Sequence, residues 1–222
     1  HAVRRYELYP NPLNKVDYPM KKEIPKEKEI WSIKEFYKFI SLVDENDIKF
    51  ITALYLLYFT GIRQQELHGL QWADWKNNVL SINKVYTRLP KTKNYELRPT
   101  KTVNSIRNLV IPEALIKQLN KYKATLYDVK DDDFIIPWEK DYINRKTKPI
   151  CEKHNFKRIT GHGFRHSHAS LLISENIDVL STSKQLGHSR PSITLDTYAH
   201  EFDLQQNQIA NILNQQIEKS KK

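Results

Sequence analysis

Three stretches in the last third of this chain decide how it reads: Gly161-His162-Gly163-Phe164-Arg165-His166, then Leu186-Gly187-His188, then Leu195-Asp196-Thr197-Tyr198-Ala199-His200. From Tyr142 to the end the pattern is almost wholly helical, with turns at Gly161 and Gly187. His162 and Arg165 are three positions apart at the start of a helix, so their side chains share one face. Together the stretches supply imidazoles, a guanidinium and a phenol, the groups needed to attack a phosphodiester without a metal. Upstream, Thr60-Gly61-Ile62-Arg63-Gln64-Gln65-Glu66-Leu67 adds a second arginine, and Thr100-Lys101-Thr102 adds an ammonium.

Working outward, Ser32 before Ile33-Lys34-Glu35-Phe36 reads as a capping box, with Phe36, Phe39, Ile40 and Val43 at helical spacing. A second helix is predicted from about Asp47 to Thr60, ended by Gly61, which puts Arg63 at a helix-to-helix turn and Glu66 one turn later. After Trp72-Ala73-Asp74-Trp75 the chain changes to short β-type runs at 79–82, 95–100 and 106–111. These predict a three-stranded antiparallel sheet with Lys101 on the turn between its last two strands. Pro112 then starts a helix bearing Leu115, Ile116, Leu119 and Tyr122. The predicted fold class is α+β, mainly α. Residues 1–30 carry Tyr9-Pro10-Asn11-Pro12, Pro19 and Pro25 without a sustained period, which is linker composition.

The 222 residues suit one large domain, and nothing calls for a second. Lysine and arginine total 36 against 26 acidic residues, a formal charge of +10 with a sequence pI near 9.4. Such a surface attracts polyanions, although charge alone also serves solubility. The single cysteine, Cys151, excludes an internal disulfide and fits a structural role in a reducing compartment. The longest apolar run, Phe50 to Phe59, is about half of the roughly 20 residues that span a bilayer, so it reads as a core helix. The start, His1-Ala2-Val3-Arg4-Arg5, has neither a signal-like apolar stretch nor an initiator methionine, and the expectation is a fragment of a longer protein.

The residue types fit phosphoryl chemistry. Negative charge grows on the non-bridging oxygens in the transition state, and preorganised donors aimed there are worth about 10²–10³ in rate each. An arginine fork matches two phosphate oxygens and stays charged at any working pH. A lone arginine reads as a surface salt bridge; Arg63 and Arg165, from distant segments, read together as a clamp. A tyrosine hydroxyl titrates near 10, so it needs a base or nearby cations to attack at neutral pH. Tyr198 is one of 12 tyrosines, any one of which taken by itself reads as structural. His166 and His168 read as core or surface residues, with His166 on the His162 face and His168 turned away.

In these motifs the chain resembles the catalytic domain of the tyrosine recombinases, the phage integrase family, including integrases of phages and conjugative transposons. The resemblance covers roughly residues 30–200. It implies a helical catalytic domain over 31–200, a linker over 1–30 from an absent amino-terminal DNA-binding domain, and a terminal helix over 201–222 exchanged between protomers. It also implies strand cleavage and rejoining through a 3′-phosphotyrosine on Tyr198, for integration or excision of a mobile element. Arg63 and Arg165 clamp the phosphate, with His162 as base or phosphate ligand and His188 beside the nucleophile. Lys101 protonates the leaving 5′-oxygen, with Lys84, Lys91 and Lys93 as rivals, and Glu66 orients the site. Gly163 departs from the polar or acidic residue of many relatives, which leaves capping of that helix open.

The partners implied are double-stranded DNA, a tetramer on that DNA and a directionality factor, in the cytoplasm at the bacterial nucleoid, with no membrane, metal or cofactor. Leu204, Ile209, Ile212, Leu213 and Ile217 form the apolar stripe of the terminal helix. Three other classes compete with this reading. A type IB topoisomerase uses similar chemistry, but the Leu-Gly-His to Tyr-x-His tail favours a recombinase. A DNA-binding module without catalysis has no need of Tyr198. A zinc hydrolase built on His162, His166 and His168 lacks the acidic partner and ligand spacing of known zinc motifs.

Overall fold

Ser32 opens helix α1 (Ile33–Ile40) through a reciprocal cap: Glu35 N donates to Ser32 Oγ at 3.3 Å, and Ser32 N donates to the Glu35 carboxylate at 2.7 Å. The structure, a computed structural model, describes residues 29–89, 94–100, 105–203, 214 and 217–219. Helix α2 (Ile48–Thr60) is apolar nearly all round, and a helix of that kind can only be central. It buries Phe50, Leu54, Leu57 and Tyr58, and stops at Gly61, whose φ of 63° is left-handed.

Trp31 ties this core to the site. Its ring meets Phe39, Phe156 and Phe164 with centroids 4.6, 5.3 and 5.2 Å away. Its backbone N–H donates to Ser167 Oγ at 2.8 Å and its indole N–H to the Lys157 carbonyl at 2.8 Å. Tyr58 Oη donates to the Trp31 carbonyl at 3.2 Å. Each aromatic pair contributes about 0.5–1.5 kcal/mol beyond its buried area, so Trp31 is held firmly against the helix that carries His162 and Arg165.

A short helix α3 (Gln64–Leu67) and a 3₁₀ turn (Trp72–Asp74) lead into the strands. The three-stranded sheet forms from β1 (Trp75–Lys76), β2 (Val79–Ile82) and β5 (Arg107–Val110), all antiparallel, with β2 central. The predicted membership needs correction. β4 (Tyr95–Pro99) does not join this sheet but pairs with β3 (Lys84–Arg88), Arg88 opposite Tyr95, in a separate two-stranded sheet. Both edges of β2 are already occupied, and β3 lies a short connection away from β4, so their pairing closes only a short loop.

Helix α4 (Glu113–Lys123) begins after Pro112 and buries Leu115, Leu119 and Tyr122. It packs on α2, as do α5 (Tyr142–His154) and α6 (Gly161–Ser174). Gly161 is the first residue of α6 rather than a turn, because Thr160 caps that helix from outside: Gly163 N donates to Thr160 Oγ1 at 3.2 Å. This answers the capping question. Gly163 itself is dictated by packing, since a Cβ there would sit 2.8 Å from Ile159 Cβ.

Helix α7 (Val179–Leu186) starts on Asp178, whose carboxylate accepts from the backbone of Leu180 and Ser181 at 2.9 Å each, and ends at Gly187. Helix α8 (Pro191–Asp203) is interrupted at Tyr198, where φ is −126° and ψ 20°. Helices α6, α7 and α8 pack on one another around a small second core of Ala169, Ile173, Leu186 and Tyr198. Cys151 is buried in α5, and burial pushes its thiol up, in keeping with a structural residue. Most of the sequence segment read as linker (1–28) lies outside the described residues, as do Lys91, Lys93, Lys101 and the stripe residues Leu204, Ile209, Ile212 and Leu213.

Candidate active site

The site begins with a buried carboxylate. Glu66, 1% exposed, accepts from the Arg63 backbone at 2.9 Å and from Arg63 Nη1 at 2.9 Å. It also accepts from Arg107 Nη2 at 2.9 Å and Nη1 at 3.2 Å. Burial pushes the carboxyl up, but the hydrogen bonds and charge of Arg107, then of Arg63, outweigh it and hold Glu66 below the usual carboxylate range. Arg107 Nε donates to the Gln185 carbonyl at 2.8 Å, so the acid links α3, β5 and the end of α7. Arg63 Nη2 reaches the Gly187 carbonyl at 3.3 Å.

Arg165 lies beside this network on α6, 2% exposed. Nη1 donates to the Gly61 carbonyl at 2.8 Å, while buried Nη2 has no hydrogen-bond partner. Burial pushes its guanidinium down to about 9, with the Arg63 charge adding to the fall and Glu66 opposing it. At neutral pH it remains charged. A buried cation with an unused donor suits a bound anion.

The left-handed turn at Gly187, φ 67°, delivers His188. Its Nδ1 lies 2.8 Å from Thr194 Oγ1. Burial, then the charges of Arg165, Arg63 and Arg107, push the imidazole down to about 4, so His188 is neutral at pH 7. His162 is exposed on the first turn of α6, and its ring lies edge-on to His166 at 4.7 Å.

Tyr198, 3% exposed, comes from α8, and its hydroxyl lies 2.6 Å from His166 Nδ1. Here the sequence reading is corrected: His166 is neither a core residue nor an idle surface one but faces the tyrosine. His168 does behave as a core residue, with Nδ1 2.9 Å from the Tyr58 carbonyl. The three histidines considered for zinc therefore do not converge, and among the described residues no three His, Cys, Asp or Glu side chains form a metal-binding group.

One cleft of roughly 610 Å³ is lined by Arg63, His162, Arg165, His166, His188 and Tyr198, together with Glu66. Thr100 and Ser105, the described residues nearest Lys101 on either side, also line it. Lys84 does not; its ammonium pairs with Asp74 at 2.7 Å. Arg107 and His166 are the residues that sequence reasoning missed. The helical spacing of His166 from His162 was a usable signal, whereas nothing in the sequence pairs Arg107 with Glu66.

A mainly helical domain whose separate segments bring two arginines, three histidines and a tyrosine to one cleft defines a class of phosphodiester-handling protein. Residues 29–205 match the sequence model of the phage integrase family, and the chain belongs to that family. It is 31% identical over 228 residues to the ICEBs1 integrase of Bacillus subtilis, covering 96% of this chain and 61% of that protein. It is 28% identical over 234 residues to the integrase of Staphylococcus phage L54a, covering 90% of this chain and 66% of that one. Thus the chain spans about three fifths of the length of such relatives. Among solved structures, the Tn1549 transposon integrase in complex with a circular intermediate DNA superposes with a TM-score of 0.77 at 19% identity, covering 95% of this chain and 74% of that one. XerA recombinase superposes at 0.61 and 19% identity, covering 82% of this chain and 65% of its own. These likenesses establish the fold.

Proposed function

We propose that this chain is the catalytic part of a site-specific DNA recombinase that integrates or excises a mobile element, with double-stranded DNA as substrate and Tyr198 as nucleophile. The observation that carries the reading is Arg165: a buried guanidinium, with an unpartnered Nη2, lining the same cleft as Tyr198. The ICEBs1 and L54a integrases, and a Tn1549 integrase bound to a circular intermediate DNA, support the choice of a mobile element.

In this reading Arg63 and Arg165 hold the scissile phosphate, their charges strengthened by low-dielectric surroundings. His162 and His188 donate to its oxygens. If the Thr194 hydroxyl donates to His188 Nδ1, the Nε2–H of the neutral ring is left as that donor. Glu66 holds the arginines in register. The Tyr198 oxygen attacks phosphorus, the bond to the 5′-oxygen breaks, and Lys101 protonates that oxygen; Thr100 and Ser105 at the cleft support its assignment. The 5′-hydroxyl of the partner strand then reverses these steps. Assembly is a tetramer on DNA through the terminal helix, assisted by a directionality factor, at the bacterial nucleoid. The test uses a nicked duplex carrying the junction at which the encoding element joins its chromosome. Wild-type protein should form a covalent complex that survives denaturation, and Tyr198→Phe should bind the duplex equally but form none. A covalent complex made by Tyr198→Phe would overturn the proposal.

A further inference from the structure

The contact between His166 and Tyr198 has no place in the scheme above, and it joins the proposed nucleophile to a group able to take its proton. His166 Nδ1 stands 2.6 Å from Tyr198 Oη, with ring centroids 5.7 Å apart. Two features hold the imidazole in place. It is half-buried on α6, and the His162 ring, one helical turn earlier, lies edge-on against it. The other side of the contact is equally fixed: Tyr198 sits at the break in α8 and belongs to the second core. His188 keeps its Nδ1 on Thr194 and His168 keeps its Nδ1 on Tyr58, so these two rings are committed elsewhere on that side.

We propose that His166 is the catalytic base that takes the Tyr198 proton during cleavage and returns it during rejoining; this rests on the function proposed above. In cleavage the Oη–H proton moves to His166 Nδ1 as the Oη–P bond forms and the P–O5′ bond breaks, and the electron pair of that bond leaves with the 5′-oxygen. In rejoining, the incoming 5′-oxygen bonds to phosphorus, the Oη–P bond breaks, and the imidazolium proton goes back to Oη. The chemistry favours a transfer concerted with attack. A free phenol is about 3.5 units less acidic than an imidazolium, so complete prior transfer is uphill, whereas an oxygen bonding to phosphorus loses its basicity. The charged and titratable groups around the pair are His162 and Arg165 of α6, His188 after α7, and Arg63 with Glu66 from α3. The cations among them favour a developing phenolate.

The test is the rate of covalent complex formation on the same nicked junction duplex, at saturating protein, from pH 5 to 9. His166→Asn keeps a polar atom near the Nδ1 position but cannot carry the proton, and His166→Ala removes the ring. Both should bind the duplex within about twofold of wild type and cleave about 10²–10⁴-fold more slowly. The wild-type rate should rise with pH as an imidazole loses its proton, and both variants should lose that rise. Added imidazole should speed His166→Ala and not His166→Asn. An unchanged or faster rate would make the contact a parking position for Tyr198 and overturn the proposal. So would a slow variant that keeps the wild-type pH profile, which is the mark of a merely structural contact. Should either variant fail to fold, the other decides. If wild type forms no adduct at Tyr198, it is the recombinase reading that fails instead.

Discussion

At the scale of residues the site is organised around one buried acid, Glu66, and two arginines with buried side chains, Arg107 and Arg165. Glu66 is 1% and Arg107 7% exposed at the side chain, so removing Glu66 leaves Arg107 without a carboxylate in a dry place, and removing Arg107 leaves Glu66 only the more exposed Arg63. Arg107→Ala should therefore lower stability by about 3–5 kcal/mol in denaturant unfolding, and Arg107→Lys should recover little of it because an ammonium cannot make the two-pronged contact. Wild-type stability in Arg107→Lys would show that the pairing is dispensable. A second prediction concerns His168, whose burial pushes it down to about 4. Between that value and about 6.5 the unfolded chain binds a proton that the folded chain does not, so stability falls as pH drops through this window. Going from pH 7 to pH 4.5 should cost wild type up to about 3 kcal/mol more than His168→Leu, measured as the change in unfolding free energy of each. An identical pH response in both would refute the assignment. Arg63, Arg165, His162, His188 and Tyr198 were legible in the sequence through the motifs that resemble the phage integrase family, and all five line one cleft. His166 was not legible as a partner of Tyr198, since 32 positions separate them and only the packing of α8 on α6 decides which imidazole the hydroxyl meets.

At the scale of elements, helix boundaries aim the chemistry. Thr160 caps the helix that presents His162 and Arg165, and Thr160→Ala should cost about 1 kcal/mol of stability and slow cleavage more than it weakens DNA binding. Gly187 both turns left-handed and leaves room for Arg107, whose Nη1 would lie 2.7 Å from a Cβ there. Gly187→Ala should thus displace Arg107 and His188 together, and a variant with full cleavage rate would contradict this geometry. Helix α2 was readable from its apolar run and Gly61, and α1 from its capping box. Strand β3 was not, because Lys84-Val85-Tyr86-Thr87-Arg88 mixes charge with β-formers, and its pairing with β4 took that strand out of the larger sheet.

At the scale of the whole molecule, a net charge of +10 predicts that duplex affinity is carried by phosphate contacts and falls steeply with salt. Raising salt from 50 to 200 mM should weaken binding by about 10³-fold if six phosphates are contacted, and a flat salt response would argue against this account of DNA binding. Truncation after Glu201 should abolish assembly on DNA while the domain stays folded by circular dichroism, if the terminal stripe docks on a neighbouring protomer. The cleavage predictions rest on one claim, that the phosphate held by Arg63 and Arg165 is attacked by Tyr198. The most direct measurement is peptide mapping by mass spectrometry of protein trapped on the nicked junction duplex. The account predicts a 3′-phosphonucleotide mass on the peptide that contains Tyr198, and an adduct on another tyrosine, or on none from a bound duplex, would contradict it.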